Sequence, residues 1–152
     1  MNWLLSQVAL AVDGRLVGPD LAVSGVSTDS RGIAPGQLFI ALRGERFDAH
    51  DFLALAVASG AQALMVADQS KLPAGVSAVV VDDTRLALGR LAAAWRRSFN
   101  LPVIAVTGSN GKTTTKEMIA AILQAQFGDA VLATRGNFNN DIGLPLTLLG
   151  LH

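Results

Sequence analysis

Residues Val103–Thr115 read V-I-A-V-T-G-S-N-G-K-T-T-T, and how this stretch is taken decides the fold. Four apolar residues, three of them β-branched, predict a short buried strand at Val103–Val106. The strand runs into Thr107-Gly108-Ser109-Asn110-Gly111-Lys112-Thr113, and an apolar-periodic helix is expected after it. Strand, glycine loop and helix in that order form the arrangement that grips a nucleotide polyphosphate. Gly108 and Gly111 let the backbone curl so that several N–H groups meet one anion, and the helix start adds its positive end. Lys112 supplies a mobile cation for the outer phosphates, and the Thr113 hydroxyl is placed to ligate Mg²⁺. The common form, G-x-x-x-x-G-K-[ST], would need glycine at position 106, where Val106 stands, so this is a short variant. A chance glycine turn before a Lys-Thr helix is the plainer alternative, but both flanking contexts match the phosphate loop.

Composition limits the partners. The chain has 152 residues, enough for one ordinary domain or two small ones, and 51% are apolar, which allows a real core. Lys plus Arg equals Asp plus Glu, 12 against 12, so no global basic field recruits nucleic acid or an anionic membrane. An anion must be caught by local geometry. Cysteine is absent, which removes disulfides and thiolate metal sites and fits a cytoplasmic location. No apolar run approaches the ~20 residues of a membrane span.

Upstream of the loop the pattern alternates short strands and helices. A helix is expected over Trp3–Val12, and strands over Ala22–Ser27, Gln37–Leu42, Ala63–Ala67 and Ala78–Val81. Another helix, capped by Asp48 or Asp51, should cover Phe52–Ser59. Asp82 and Asp83 end an apolar strand as a metal-binding acid pair would, but a helix start follows at Thr84, so they read as cap residues. Leu88, Leu91, Trp95 and Phe99 fall at helical spacing with Arg90, Arg96 and Arg97 turned away. Asn100-Leu101-Pro102 ends that helix. The boundary belongs here: residues 1–100 form one α/β domain, and residues 101–152 begin a second, with a helix bearing Met118, Ile119, Ile122, Leu123 and Phe127 and a strand at Ala130–Ala133.

Two polar stretches stay open between turn and site. Ser27-Thr28-Asp29-Ser30-Arg31-Gly32 is rich in hydroxyls with one carboxylate and one guanidinium, but Asx and Ser/Thr turns use the same residues. Asn137, Asn139, Asn140 and Asp141 lie within five residues, beside Gly136 and Gly143. Asparagine clusters build turns too, yet a loop at the carboxyl end of a strand beside a phosphate loop opens on the same crevice.

These segments resemble the Mur ligases, the family that builds the peptide of peptidoglycan precursors. The loop T-G-S-N-G-K-T at Thr107–Thr113 is similar to the family's ATP motif. S-T-D-S-R at Ser27–Arg31, P-G-Q-L-F-I-A-L-R-G at Pro35–Gly44 and F-D-A-H-D-F at Phe47–Phe52 resemble its amino-terminal UDP-binding domain, with Ala49 where the family often has glycine. G-N-F-N-N-D-I-G-L-P-L-T-L-L at Gly136–Leu149 resembles the members that add a dipeptide.

The resemblance implies a fold and a reaction. The fold is a small UDP-binding α/β domain followed by the first part of a P-loop-type parallel-sheet ATP-binding domain. The reaction is ATP-dependent amide-bond formation between UDP-N-acetylmuramoyl-tripeptide and D-alanyl-D-alanine, through an acyl phosphate. ATP and Mg²⁺ are the implied cofactors, with Gly108, Ser109, Asn110, Gly111, Lys112, Thr113 and Thr114 around the nucleotide, Lys112 and Thr113 catalytic and Thr113 on the metal. Ser27, Thr28, Asp29, Ser30, Arg31, Arg43, Gly44, Asp48, His50, Asn137, Asn139 and Asn140 are implied in binding the UDP-linked substrate, although His50 alone reads more simply as a loop or capping histidine. The family has three domains and the resemblance ends inside the second. A fragment without activity is therefore expected, one that self-associates through apolar surface at Leu146–Leu151, whereas the full-length enzyme is expected to be a monomer. Two rivals stand beside this reading: a generic P-loop hydrolase or kinase, and a UDP-sugar-binding module without catalysis.

Overall fold

The computed structural model describes residues 2–45, 47–136, 138 and 140–152. Its frame is a mixed five-stranded sheet built from short, β-branched or apolar runs. In chain order the elements are β1 (Trp3–Leu4), α1 (Leu5–Val12), β2 (Arg15–Val17), β3 (Ala22–Val23), β4 (Val26–Ser27), β5 (Leu38–Ile40), α2 (Leu53–Ala58), β6 (Ala63–Val66), β7 (Ala78–Val80), α3 (Thr84–Arg97), α4 (Lys112–Phe127) and α5 (Gly143–Leu149). The sheet order is β2-β7-β6-β5-β4, with β4 to β7 parallel and β2 antiparallel at the edge; β1 and β3 form a separate antiparallel pair.

Strand alternation sends the core to both faces. Leu38, Ile40, Met65 and Val79 point to one side, where Leu5, Val8 and Val12 of α1 and Leu88 and Leu91 of α3 close over them. Phe39, Ala41, Leu64 and Val66 point to the other, under Leu53 and Ala56 of α2. The central strands are therefore apolar without interruption, as a sheet covered on both sides requires. The start of α3 is fixed by Asp83, whose carboxylate accepts the N–H groups of Arg85 and Leu86. Its end is closed by Arg96, which donates to the carbonyls of Phe99 and Leu101 at 2.7 and 2.8 Å.

Several expectations are corrected. Ala22–Ser27 is two strands, not one: residues 22–23 pair with β1 and 26–27 with β5, and the chain changes partner between them. The first residues of the expected Trp3–Val12 helix are strand instead. Val103–Val106 is neither in a ladder nor buried, with Val103 58% and Ile104 59% exposed. Among the described residues no strand runs beside it, and extended chain becomes strand only when a neighbour takes its N–H and C=O groups. Ala130–Ala133 lacks a ladder for the same reason. The helix α4 forms, but Met118, Ile122 and Phe127 stay exposed. The tail behaves in the opposite way: residues 143–149 fold as α5 against α3, Leu149 is buried, and Leu146 and Leu148 pack on the same cluster. Apolar surface therefore lies at residues 103–104 and along α4, not at Leu146–Leu151. Gly143 permits this packing, since a Cβ there would sit 2.6 Å from Cβ of Phe138.

Candidate functional site: a phosphate loop and a polar edge at the carboxyl ends of the strands

Parallel strands gather the loops that follow them at one edge of the sheet, where ligands of open α/β sheets bind. Here that edge collects Ser27–Arg31 after β4, Arg43, Gly44 and Asp48–His50 after β5, Ala67–Lys71 after β6 and Asp82–Arg85 after β7. The sequence neighbours of each group are far apart, and only the parallel topology brings them to one side.

Ser27–Arg31 is both a turn and a preorganised pair of charges. The Asp29 N–H donates to Oγ of Ser27, and the Arg31 N–H to Oδ1 of Asp29 at 3.0 Å. The Arg31 guanidinium then closes on the same carboxylate from two nitrogens, Nε at 2.9 Å and Nη2 at 2.7 Å. Those bonds pull the Asp29 carboxyl down to about 2. Arg31 is thus held in a fixed direction while its side chain stays 84% exposed.

After β5, Arg43 and Asp48 face each other across a tight turn in which Gly44 donates to the Phe47 carbonyl at 2.8 Å. Asp48 binds Arg43 through Oδ2 at 3.1 Å, and its Oδ1 takes both the His50 N–H and the His50 ring. Burial pushes this carboxyl up, but the donors from His50 and Arg43 outweigh it and hold Asp48 well below the usual carboxylate range. Lys71, from the next loop, donates to Asp51 at 2.6 Å and lies 3.6 Å from Asp48. Its ammonium is held above its ordinary value, first by the hydrogen bond to Asp51. His50 is different from its neighbours. Its side chain is buried and both ring nitrogens are used inside the protein, so it supports the turn and offers nothing to a substrate.

Asn140 and Asp141 also have structural partners. Oδ1 of Asn140 accepts the Gly143 N–H at 2.7 Å, closing the turn into α5 and leaving its amide NH₂ as the group it can offer. Asp141 forms a two-pronged ion pair with Arg85 at the start of α3, which draws Asn140 and the start of α5 to the same sheet edge. Asn137 and Asn139 lie outside the described residues.

The Gly108–Thr114 loop takes the shape its glycines allow. Gly108 has φ +146° and Gly111 φ +76°, conformations that side chains with a Cβ rarely adopt. The first helical bond of α4 runs from the Thr115 N–H to the Gly111 carbonyl. Among the described residues no hydrogen bond uses the N–H groups of Ser109 to Thr114, so the loop and first turn present unspent donors. Lys112 folds back over the loop, its Nζ donating to the Gly108 carbonyl at 2.5 Å. Among the described residues no group of three or more His, Asp or Glu side chains is placed to hold a metal. The donor set fits a bound polyphosphate, and for Mg²⁺ it offers the Thr113 hydroxyl, to be completed by phosphate oxygens and water. A groove of about 430 Å³ between α4 and residues 131–136, flanked by Glu117, Gln124 and Arg135, lies along the helix instead of at the loop.

Two residues at this edge, Lys71 and Arg85, were not read from the sequence as site residues. Neither has a local signal, since each meets its partners only through the fold.

Comparison with known proteins gives the family. The model of the Mur ligase family, catalytic domain, matches residues 22–96, and that of the Mur ligase middle domain matches residues 106–152. The chain belongs to the Mur ligase family. Within that family it is 52% identical over 147 residues to the UDP-N-acetylmuramoyl-tripeptide–D-alanyl-D-alanine ligase of Escherichia coli (strain K12), covering 97% of this chain and 32% of that Mur ligase. A crystal structure of MurF from Acinetobacter baumannii superposes with a TM-score of 0.90 at 45% identity, over 100% of this chain and 34% of the other. The MurF ligase of Thermotoga maritima, solved in complex with ADP, gives 0.73 at 34% identity over 84% of this chain and 29% of that one. The chain thus spans about a third of the length of the Mur ligases it matches.

Proposed function

We propose that this chain is the amino-terminal part of an ATP-dependent ligase that joins D-alanyl-D-alanine to UDP-N-acetylmuramoyl-tripeptide in the cytoplasm. The observation that carries the reading is the Gly108–Thr114 loop, with its unspent N–H groups and Lys112 folded over them, on a chain 52% identical to a ligase of that name. ADP in the Thermotoga maritima relative supports a nucleotide at this loop.

In this reading residues 1–100 are the UDP-substrate domain and residues 101–152 begin the ATP-binding domain. Lys112 and the loop amides offset charge on the phosphoryl group that passes from ATP to the tripeptide carboxylate. The amine of the dipeptide then displaces phosphate from the acyl phosphate and forms the amide. Thr113 would hold Mg²⁺ against the phosphate oxygens, a Lewis acid for that transfer. Arg31 and Arg43, both directed by carboxylates and both exposed, contact the uridine diphosphate. Thr28, Ser30 and the Asn140 amide are polar groups available to the same ligand, and Asn137 and Asn139 complete the set.

A second reading is favoured by one observation. The first unit is fully packed, whereas Val103–Val106 has no ladder among the described residues, so the 152 residues act alone as a UDP-sugar binder without turnover. Calorimetric titration with Mg-ATP separates the two, since only the first reading expects it to bind, and a coupled phosphate-release assay with both substrates checks for turnover. No turnover, together with UDP binding by calorimetry, is expected of this chain. Turnover dependent on D-alanyl-D-alanine would overturn the second reading, and absence of both UDP and Mg-ATP binding would overturn the first.

A further inference from the structure

Between the ends of β5 and β6 lies a histidine whose hydrogen bonds fix its charge. His50 is 3% exposed, and Nε2 of its ring receives the backbone N–H of Ala67 at 2.9 Å. An amide N–H only donates, so Nε2 carries no proton and the ring proton sits on Nδ1. Nδ1 faces Oδ1 of Asp48 at 2.6 Å, and the same oxygen takes the His50 backbone N–H at 3.0 Å. The other oxygen of Asp48 holds Arg43. One neutral imidazole therefore ties the turn carrying Arg43 to the first residue after β6.

Around the ring stand Asp48, and Asp68 on the loop after β6; beyond Asp48 stand Arg43, Lys71 and Asp51. A second proton on the ring would aim its Nε2–H and the Ala67 N–H, two donors, at each other. We propose that His50 is a positioning residue: its neutral Nδ1–H form pins the Arg43–Asp48 turn to the end of β6, and a second proton on the ring releases that turn. Only the consequence for a ligand at Arg43 rests on the substrate reading above; the latch itself does not.

Ring nitrogen NMR and amide exchange on the whole 152-residue chain test it. At neutral pH the wild type should show protonated Nδ1 and bare Nε2. On acidification, protonation of the ring and loss of Ala67 protection should coincide. The amides of Gly44 and Ala49, bonded to the carbonyls of Phe47 and Leu42, should then exchange about tenfold faster, the worth of one hydrogen bond. The Leu64 amide, bonded to Ser77, is the control and should not change. His50→Gln keeps an acceptor for Ala67 and should keep its protection without the acid response, while His50→Phe should lose the protection at every pH. A proton on Nε2 in the wild type at neutral pH, or a protonated ring with Ala67 and Gly44 still protected, would overturn the proposal. Titration with uridine diphosphate runs in parallel. An intact latch without UDP binding would support this inference and remove the substrate reading alone.

Discussion

Arg85 and Asp141, 56 residues apart, clasp each other through two nitrogens and two oxygens at the edge where the parallel strands end. One stands in the first turn of α3 and the other just before α5, so the pair links the last helix of the chain to the sheet domain. The contact is electrostatic and half exposed. Behind it Leu149 is buried against the cluster that includes Leu88 and Leu91, so two different forces hold the same helix.

Magnitudes decide which of them holds α5. An exposed ion pair contributes about 0.2–1 kcal/mol, whereas truncating a buried leucine to alanine costs about 2–5 kcal/mol. Asp141→Asn should therefore move the urea midpoint only slightly, and Leu149→Ala should lower it clearly and loosen α5. A double-mutant cycle with Arg85→Ala measures the pair directly. An Asp141→Asn loss as large as that of Leu149→Ala would show that charge, not burial, docks the helix.

Thr84 joins α3 to the residue that follows β5 inside the protein, its hydroxyl donating to the Ala41 carbonyl at 2.7 Å with the residue 4% exposed. Thr84→Val keeps the shape and removes the donor, which should cost about 1–3 kcal/mol in chemical denaturation. Thr84→Ser keeps the hydroxyl and should cost less. Equal losses from the two would assign the effect to the missing methyl group, not to the hydrogen bond.

Asp29 offers a titration that reports on ligand. Its carboxyl is held at about 2 against an ordinary 3.8, first by the Arg31 side chain and then by the Arg31 backbone N–H. A depressed carboxyl stays ionised as pH falls through 3.8 and takes its proton only near 2, so the pair is lost below that window. Arg31→Ala should raise the value but leave it below 3.8, because the backbone donor remains. If Arg31 turns to the diphosphate, saturating UDP should raise it in the wild type as well. Carboxyl NMR follows both, and an Asp29 titration unmoved by UDP would remove Arg31 from the pocket.

Legibility from sequence followed locality. The strands β5, β6 and β7 were readable because each is a compact apolar run, and α3 because Asp83 and its leucine spacing are local signals. Arg15–Val17 carries no such mark and becomes strand only by pairing with β7. Val103–Val106 failed in the other direction: its composition suits a strand, but composition does not supply a neighbour. The same split runs through the site. The glycine loop is visible in six residues, while the structural role of His50 depends on Ala67, 17 positions away, which no local signal could show. Lys71 and Arg85 were invisible for that reason too.

Lys112 gives the sharpest test of the phosphate loop. Its ammonium touches the Gly108 carbonyl and, among the described residues, no carboxylate, so removing it should leave the fold intact. A charge-assisted hydrogen bond is worth about 1.5–3 kcal/mol, so Lys112→Ala should weaken Mg-ATP or ADP binding about 10- to 150-fold. Unfolding without nucleotide should be unchanged, as should the affinity for UDP, whose proposed contacts at Arg31 and Arg43 do not involve Lys112. Gly111→Ala acts on the same loop differently: at φ +76° a Cβ costs about 1–2 kcal/mol of strain, and the turn that aims the N–H groups must shift. Both variants should lose nucleotide and keep UDP. A Lys112→Ala chain that binds ATP as well as the wild type would mean that the loop, whatever its likeness to a phosphate cradle, holds no phosphate through this ammonium.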